Sequence, residues 1–115
     1  MKSGTMYEQR DIVIVPFPFS DLSAVKHRPV LIISNNKDNK ESEDIVTCGI
    51  TSNLNNAKHS VLIENNNLEL GYIPSKSRIK VDKLFTLDKS IIIKRVAKIN
   101  NETLDKVKKE FINLI

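Results

Sequence analysis

The sequence has little cysteine, little glycine and no long hydrophobic run. Its 115 residues include one cysteine, three glycines and no tryptophan. Cys48 alone cannot form an internal disulfide, and no apolar run approaches the roughly 18 residues that a membrane-spanning helix requires. The opening residues, MKSGTMYEQR, lack the apolar middle of a signal peptide. We therefore expect a cytoplasmic protein without disulfides and without a membrane partner.

Sequence motifs for bound cofactors are missing as well. The three glycines are isolated and form no phosphate-binding loop, and the cysteine and the two histidines do not have the spacing of a zinc site. His27 and His59 each stand alone in the sequence, and a lone histidine is more often structural than catalytic. We expect neither a metal ion nor a cofactor.

The composition that remains is that of one globular domain. Hydrophobic residues make up 40% and charged residues 28% of the chain, which argues against a fibrous repeat and against global disorder. We expect a single domain over residues 1–115, with residues 1–9 as a flexible N-terminal extension. Lysine and arginine number 18 against 14 acidic residues, a net charge of +4. This charge is compatible with a polyanionic partner but does not identify one.

Short apolar runs recur between polar, turn-like segments. They are rich in isoleucine and valine and too short for stable helices, which favours the strands of a small barrel or sandwich. The predicted strands are 11–15, 30–34, 44–51, 60–64, 77–85 and 91–99. Two polar segments, NNKDNKESED at 35–44 and ENNNLELG at 64–71, are predicted as exposed loops.

The last segment changes from strand to helix periodicity. In NNETLDKVKKEFINLI, Leu104, Val107 and Phe111 recur at helical spacing. Asn100 or Asn101 is suited to cap the first turn through its side-chain oxygen. We expect one amphipathic C-terminal helix that packs on the sheet.

Strand alternation in SRIKVDKLF separates an apolar face from a charged one. Ile79 and Val81 fall on one side of the strand, and Arg78, Lys80 and Asp82 fall on the other. Because many antiparallel sheets expose one face to water, we expect the charged side to be solvated.

The stretch HRPVLIIS places a permanently charged arginine directly before a predicted core strand. Pro29 fixes its own φ, so the chain enters the strand rigidly and would aim the Arg28 guanidinium. The planar guanidinium suits a phosphate and does not readily act as a base. An ion pair with Asp11 or Asp21 is the alternative, and the local sequence does not decide between the two.

Hydroxyl groups follow at the end of the third predicted strand. In CGITSN, the hydroxyls of Thr51 and Ser52 can bind an anion, although capping a turn is the more common role. Cys48, in the same run, is expected to behave as a small buried hydrophobic residue.

Three segments, taken in order, resemble the PemK/MazF family of toxin endoribonucleases from type II toxin–antitoxin systems. They are RDIVIVPFPFSDLSAVKHRPVLIIS, IVTCGITSN and SRIKVDKLFTLDKSIIIKRVAKI. The resemblance covers residues 8 to 115, and the ordered set is more specific than any one piece.

The resemblance implies a mainly β fold, an SH3-like small barrel with a C-terminal helix. It implies a homodimer that cuts single-stranded RNA, often mRNA, at short sequences without a metal ion and thereby inhibits translation and growth. It also implies a cognate antitoxin as protein partner, together with which such toxins bind DNA.

The resemblance also implies roles for individual residues. The family's catalytic arginine before the proline falls on Arg28, and its threonine at the end of the third strand falls on Thr51. An acidic functional position falls on Asp82, and a nearby basic position falls on Lys80, where relatives carry arginine. Ser52 is a further candidate for catalysis or RNA binding.

Other candidates lie beside the arginine. His27 is a candidate for catalysis or RNA binding because an imidazole is suited to proton transfer at neutral pH. Phe17 and Phe19, which we place in a loop near the site, are candidate surfaces for base stacking, with core packing as the alternative.

Three residues depart from the family pattern. Arg10, Ala24 and Ala97 stand where glycine is common in the family. None of them alters Arg28 or Thr51. We therefore expect the loop at 20–27 to follow a different path, and the cleavage sequence to differ more than the chemistry.

Two other classes of function remain open. The same fold can inhibit a protein target such as gyrase, or bind nucleic acid without cutting it. A third reading is an inactive family member that serves as an interaction partner. The pairing of Arg28 with Thr51 favours the ribonuclease, because a protein that only binds does not need both residues.

Overall fold

A curled antiparallel sheet and a C-terminal helix form most of the computed structural model, which describes residues 6–18 and 25–115. The elements are β1 Asp11–Pro18, β2 Val25–Ile32, α1 Asn36–Glu41, β3 Asp44–Thr51, β4 Ser60–Ile63, β5 Leu68–Gly71, β6 Ser77–Asp88, β7 Lys94–Ile99 and α2 Asn101–Leu114. The strands form one sheet in the order β4-β6-β3-β2-β1-β7-β5. The predicted mainly β class with a C-terminal helix is confirmed.

Both faces of the central strands are buried. On β1, Ile12 belongs to a first apolar cluster, whereas its neighbour Val13 belongs to a second. β2 alternates in the same way, with Leu31 in the first cluster and Ile32 in the second. Because side chains alternate along a strand, burial of both faces explains why these strands read as unbroken apolar runs.

The C-terminal helix covers the first cluster. α2 packs against β4 and β6 and contributes Leu104 and Val107 to that cluster. Its first turn is capped by Asn100, whose Oδ1 accepts a hydrogen bond from the backbone N–H of Thr103 at 2.8 Å. The predicted helix and its cap at Asn100 are therefore confirmed.

Both predicted loops contain regular structure, so these two predictions are wrong. α1 lies within 35–44 and begins after Asn35, whose Oδ1 accepts from the Asp38 N–H at 2.8 Å. This helix has no apolar stripe, and its buried residue is Asn39, which bonds to the Ser34 carbonyl at 2.9 Å. In the second segment, β5 forms an edge strand that pairs with β7.

Three strands extend further than the apolar pattern indicates, and one of them, β6, continues from residue 85 to Asp88. β1 continues from residue 15 to Pro18, and β2 begins at Val25 rather than at Val30. Backbone pairing between the two strands continues from Ile12 and Leu31 to Pro18 and Val25. Arg28 and Pro29 therefore lie within a strand, not at its entrance.

Part of the predicted N-terminal extension contacts the sheet. The Gln9 side chain donates a hydrogen bond to the Ile33 carbonyl at 2.8 Å, and its backbone N–H donates to Asn36 Oδ1 at 2.7 Å. Residues 1–5 lie outside the described part of the chain. Among the described helices, neither is long and apolar enough to span a membrane.

Candidate active site

A pocket of about 250 Å³ opens where β1, β2, β3 and β6 meet. Three of the residues that line it are cationic and none is acidic. The lining residues are Phe17, Arg28, Pro29, Val30, Gly49, Ile50, Thr51, Asn56, Lys80, Lys83 and Phe85. A concave surface that combines positive charge with aromatic rings is suited to an anion attached to an aromatic group.

The pairing register of β2 and β3 brings Arg28 and Thr51 together. Val30 lies opposite Gly49 on these antiparallel strands. This is the last pair of the two strands on this side, and the same register continued by two residues would place Arg28 opposite Thr51. Since alternate residues share a face, both side chains lie on the same face of the sheet as Val30. Two residues that stand 23 positions apart in the sequence thus line one pocket.

An irregularity in β6 shapes the opposite wall of the pocket. Cys48 of β3 lies opposite Leu84, whereas its neighbour Gly49 lies opposite Lys80. The segment 81–83 therefore has no partner on β3 and forms a bulge. A bulge redirects the side chains that follow it, and here Lys80 before the bulge and Lys83 within it both line the pocket.

Lys80 is buried, so the prediction of a solvated charged face is wrong at this residue. Its side chain is 4% exposed. The ammonium group donates a hydrogen bond to the carbonyl of Lys58, and it lies 3.4 Å from Oδ1 of Asp82. The segment 52–59 covers this part of β6, which strand alternation alone does not reveal.

Thr51 both caps a turn and lines the pocket. Its Oγ1 accepts a hydrogen bond from the backbone N–H of Asn53 at 3.1 Å. Because the hydroxyl oxygen is the acceptor in this contact, its hydrogen remains available as a donor. Ser52 is exposed and does not line the pocket.

Phe17 lies on β1 and not in a loop, which corrects its predicted position. Its ring packs against the second apolar cluster and meets Phe85 in an edge-to-face contact, with ring centroids 4.8 Å apart. It also lines the pocket. The two roles considered for Phe17, core packing and a stacking surface, are therefore compatible in one geometry. Phe19 lies outside the described residues.

The remaining candidates do not line the pocket. His27 is exposed, and since it neighbours Arg28 on β2, it faces the other side of the strand. Asp82 is exposed on the β6 bulge beside Lys80. His59 lies with its Nδ1 3.9 Å from a carboxylate oxygen of Glu110 on α2.

The carboxylate of Asp11, considered above as an ion-pair partner for Arg28, is held by other cations. Asp11 is fully buried, and its Oδ2 accepts a hydrogen bond from Arg95 at 3.0 Å. Lys98 lies 3.6 Å from the other oxygen and forms a 2.5 Å ion pair with Glu8. The hydrogen bond and charge of Lys98 hold the pKa of Glu8 below its usual range. Asp21, the other carboxylate considered, lies outside the described residues.

The thiol of Cys48 lies in the core. Cys48 is fully buried in the first apolar cluster, and burial raises the pKa of its thiol to about 12. This confirms the expectation of a small hydrophobic residue. Within residues 6–18 and 25–115, no three histidine, cysteine, aspartate or glutamate side chains are grouped as metal ligands.

Two polar pocket residues, Asn56 and Lys83, were not predicted from the sequence. Asn56 belongs to an asparagine-rich loop that carries no motif. In a regular strand, alternation predicts the side of the sheet that each side chain faces. Lys83 lies in the β6 bulge, which interrupts this alternation. The family resemblance pointed to neither residue.

Comparison with known proteins identifies the family. The family model for the PemK-like, MazF-like toxin of type II toxin–antitoxin systems matches residues 8–115. The chain therefore belongs to this family of toxins. No curated protein matches the chain at a significant level.

Solved structures show the same fold at low sequence identity. The MazE-MazF crystal structure (Form-II) from Deinococcus radiodurans has a TM-score of 0.79 and 19% identity and covers 96% of both chains. An endoribonuclease in complex with its cognate antitoxin, from a mycobacterial species, has a TM-score of 0.73 and 18% identity over 96% of this chain and 93% of that one. The Mycobacterium tuberculosis toxin MazF-mt6 has a TM-score of 0.72 and 16% identity over 90% and 94%.

Proposed function

We propose that this toxin is an endoribonuclease that cleaves single-stranded RNA at a short recognition sequence, without a metal ion. The observation that carries the proposal is the common pocket of Arg28 and Thr51, which lie on neighbouring strands. The mycobacterial and Deinococcus proteins of the same fold, one of them described as an endoribonuclease, support it.

The chemistry uses the RNA itself as the nucleophile. The 2′-oxygen attacks the adjacent phosphorus, a P–O bond forms there, and the bond to the 5′-oxygen breaks. The 2′-hydroxyl gives up its proton, and the departing 5′-oxygen takes one up. The products are a 2′,3′-cyclic phosphate and a free 5′-hydroxyl. DNA lacks the nucleophile and is not cleaved.

Arg28 stabilises the charge that develops on the phosphoryl oxygens. Its guanidinium presents several N–H donors in one plane, which fits two phosphate oxygens at once. Pro29 follows it within β2 and fixes the backbone next to this donor. A donor already placed for the transition state needs no reorganisation during the reaction, and loss of such a donor typically lowers kcat by about 10²- to 10³-fold.

Thr51 donates a second hydrogen bond to the same phosphate. The N–H of Asn53 occupies one lone pair of its hydroxyl oxygen and leaves the hydrogen directed elsewhere. We leave the general base unassigned, because the described residues that line the pocket include no carboxylate and no imidazole.

The proposed protein partners follow from family and charge. We propose a homodimer in the cytoplasm, and an antitoxin segment that is disordered when free and orders on the toxin. This segment should be acidic where it meets Arg28 and Lys83, because the pocket walls are cationic. Its binding would silence the enzyme by covering the pocket.

The test is cleavage of a long single-stranded RNA by the purified protein in the presence of a chelator. The Arg28→Ala variant is compared with Lys108→Ala, which removes an equal charge from an exposed position of α2. Cuts at a recurrent short sequence with cyclic phosphate ends, lost in Arg28→Ala and kept in Lys108→Ala, are expected. Products with 5′-phosphates, or activity abolished by the chelator, would contradict the mechanism. A folded wild-type protein that binds RNA without cutting it would indicate a binding module.

A further inference from the structure

The side chain of Asn56 lies on the wall of the pocket with its polar atoms available. Asn56 is exposed, and within the described residues its amide group makes no hydrogen bond, although its backbone N–H donates to the Asn53 carbonyl at 3.2 Å. It is the one amide side chain among the described residues that line the pocket. An amide both donates and accepts hydrogen bonds, which matches the mixed edges of nucleic-acid bases.

Two cations of β6 hold the loop of Asn56 on either side of it. Arg78 Nε donates to the carbonyl of Leu54 at 2.6 Å, and the Lys80 ammonium donates to the carbonyl of Lys58. These contacts lie two residues before and two residues after Asn56. A polar side chain on a loop discriminates between ligands only if the loop is fixed, because a mobile group adapts to each of them.

Further hydrogen bonds fix the inside of the loop. Asn53 Oδ1 accepts from the N–H of Asn55 at 3.1 Å, and the hydroxyl of Ser60 donates to the carbonyl of Ala57 at 2.6 Å. The N–H of Val81 donates to the carbonyl of His59 at 3.0 Å, which joins the end of the loop to the β6 bulge. Hydrogen bonds therefore hold the backbone of the loop on both sides of Asn56.

We propose that Asn56 is the specificity-determining residue that reads the edge of an unpaired base next to the cleaved phosphate. Arg78 and Lys80 are positioning residues for its loop. This inference rests on the proposed ribonuclease function. Arg28 bonds to phosphate, which is identical at every position of RNA, so Arg28 cannot select a sequence. An amide side chain that faces an unstacked base can select a sequence, because the hydrogen-bonding edge differs from base to base.

The contacts of Lys80 also indicate how this residue acts. Its ammonium is shared between the carbonyl of Lys58 and the carboxylate of Asp82. The Lys80 ammonium is little exposed, and these two groups of the protein already accept its hydrogen bond and its charge. Its effect on the substrate therefore passes through the loop that it holds.

The test compares the Asn56→Ala variant with Asn55→Ala, which removes the same side chain from the adjacent exposed position that does not line the pocket. Each variant cleaves a pool of random-sequence RNA, and sequencing of the ends gives the base preference at each position around the cut. Asn56→Ala should lose selectivity at one flanking position by roughly ten-fold, the scale of one good contact to a base edge. Asn55→Ala should keep the wild-type preference. An unchanged preference in Asn56→Ala would overturn the inference.

A second readout separates the inference from the proposed function. The same variants are assayed for binding to a pool of 2′-O-methyl RNA hexamers, which cannot be cleaved by this chemistry. If the wild type cuts no RNA, the proposed function fails. The role of Asn56 is then tested by binding. Base reading is supported if the wild type binds some sequences selectively and Asn56→Ala does not. It is contradicted if the wild type shows no selectivity, or if Asn56→Ala keeps the selectivity of the wild type.

The positioning role has its own measurement. Lys80→Met keeps an unbranched chain in the buried site but removes the bond to the Lys58 carbonyl. It should relax selectivity at the same position as Asn56→Ala, and the double variant should relax it no further, because both changes act on one contact. Arg78→Gln, a partly exposed position, provides a second variant if Lys80→Met is poorly folded. Reduced stability with intact base preference in both variants would show a merely structural role.

Discussion

Arg10 has a backbone conformation that favours glycine. Replacing Arg10 by glycine tests whether this conformation strains the folded protein. Its φ is 84°, in the left-handed region. The backbone is fixed from both sides, since the Arg10 N–H donates to the carbonyl of Ile32 at 2.9 Å and its carbonyl accepts from Ile99 at 3.0 Å. The contacts to the ends of β2 and β7 therefore determine this φ. A residue with a Cβ has to accept the strain.

The arginine side chain offsets part of this cost. Arg10 Nη1 forms a 2.7 Å ion pair with Glu69 and a 3.0 Å hydrogen bond to the Ile99 carbonyl. Glu69 is half-exposed, so the ion pair is screened by water and contributes up to about 1 kcal/mol. The hydrogen bond to the carbonyl contributes about another 1 kcal/mol. Removing the side chain should therefore cost about 1 to 2 kcal/mol of unfolding free energy, before the backbone is considered.

Comparison of two variants separates the cost of backbone strain from the contribution of the side chain. Arg10→Ala loses the side-chain contacts and keeps the strain, which is about 1 to 2 kcal/mol for a residue with a Cβ in this region. Arg10→Gly loses the same contacts and relieves that strain. However, glycine raises the conformational entropy of the unfolded chain, which lowers the free energy of unfolding by about 0.4 to 1 kcal/mol. Arg10→Gly should therefore be more stable than Arg10→Ala by about 1 kcal/mol, although both should be less stable than the wild type.

The assay is urea unfolding of the three proteins with linear extrapolation, at equal protein concentration in case they associate. Glu69→Gln serves as the control, because it removes the ion pair and leaves φ unchanged. Its cost should stay below about 1 kcal/mol. An Arg10→Gly variant equal to or less stable than Arg10→Ala would refute the assignment of strain to this position.

Three further predictions concern the core, the ion cluster and the pocket. Cys48 should resist iodoacetamide at pH 8 in the folded protein and react fully in urea, since burial raises the pKa of its thiol to about 12; equal labelling rates by mass spectrometry would contradict this. Glu8→Gln should lower the free energy of unfolding by less than about 1 kcal/mol above pH 4.5, because the carboxyl is half-exposed. Lys98 lowers the folded-state pKa of Glu8, so this difference from the wild type should vanish as the pH falls through that pKa, and a difference that persists at pH 2 would exclude the ion pair as its cause. Phe17→Leu should keep most of the apolar packing and weaken RNA binding by about 1 to 3 kcal/mol through loss of stacking, and unchanged binding would assign Phe17 to the core alone.

The sequence predicted the strands well where both faces are buried and less well where one element depends on a distant partner. Runs such as VLIIS are apolar throughout because the two clusters on opposite faces of the sheet share them. β5 is different, since LELG is mostly exposed and becomes a strand through its pairing with β7. α1 lacks an apolar stripe and depends on the side-chain cap of Asn35 and on the buried amide of Asn39. Hydrophobic periodicity cannot detect elements of this kind.

The candidate site divides in the same way. Arg28 and Thr51 were found from ordered motifs, and both line one pocket from neighbouring strands. Phe17 was placed in a loop, but β1 continues to Pro18. Because β7 pairs with β1 only as far as Ile14, the prolines of this strand lie beyond that pairing, where a missing N–H is tolerated. Asn56 had no detectable signal, because its role depends on where Arg78 and Lys80 hold its loop.

The β6 bulge explains how residues from both parts of this strand come to line one pocket, whereas the incorrect prediction for Lys80 follows from the loop that covers it. In an unbroken strand, Lys80 and Phe85 would face opposite sides, because they lie five positions apart. Three unpaired residues shift the register, so that both side chains reach one pocket. The same shift leaves Lys83 on the rim and lets the N–H of Val81 bond to the loop that carries Asn56.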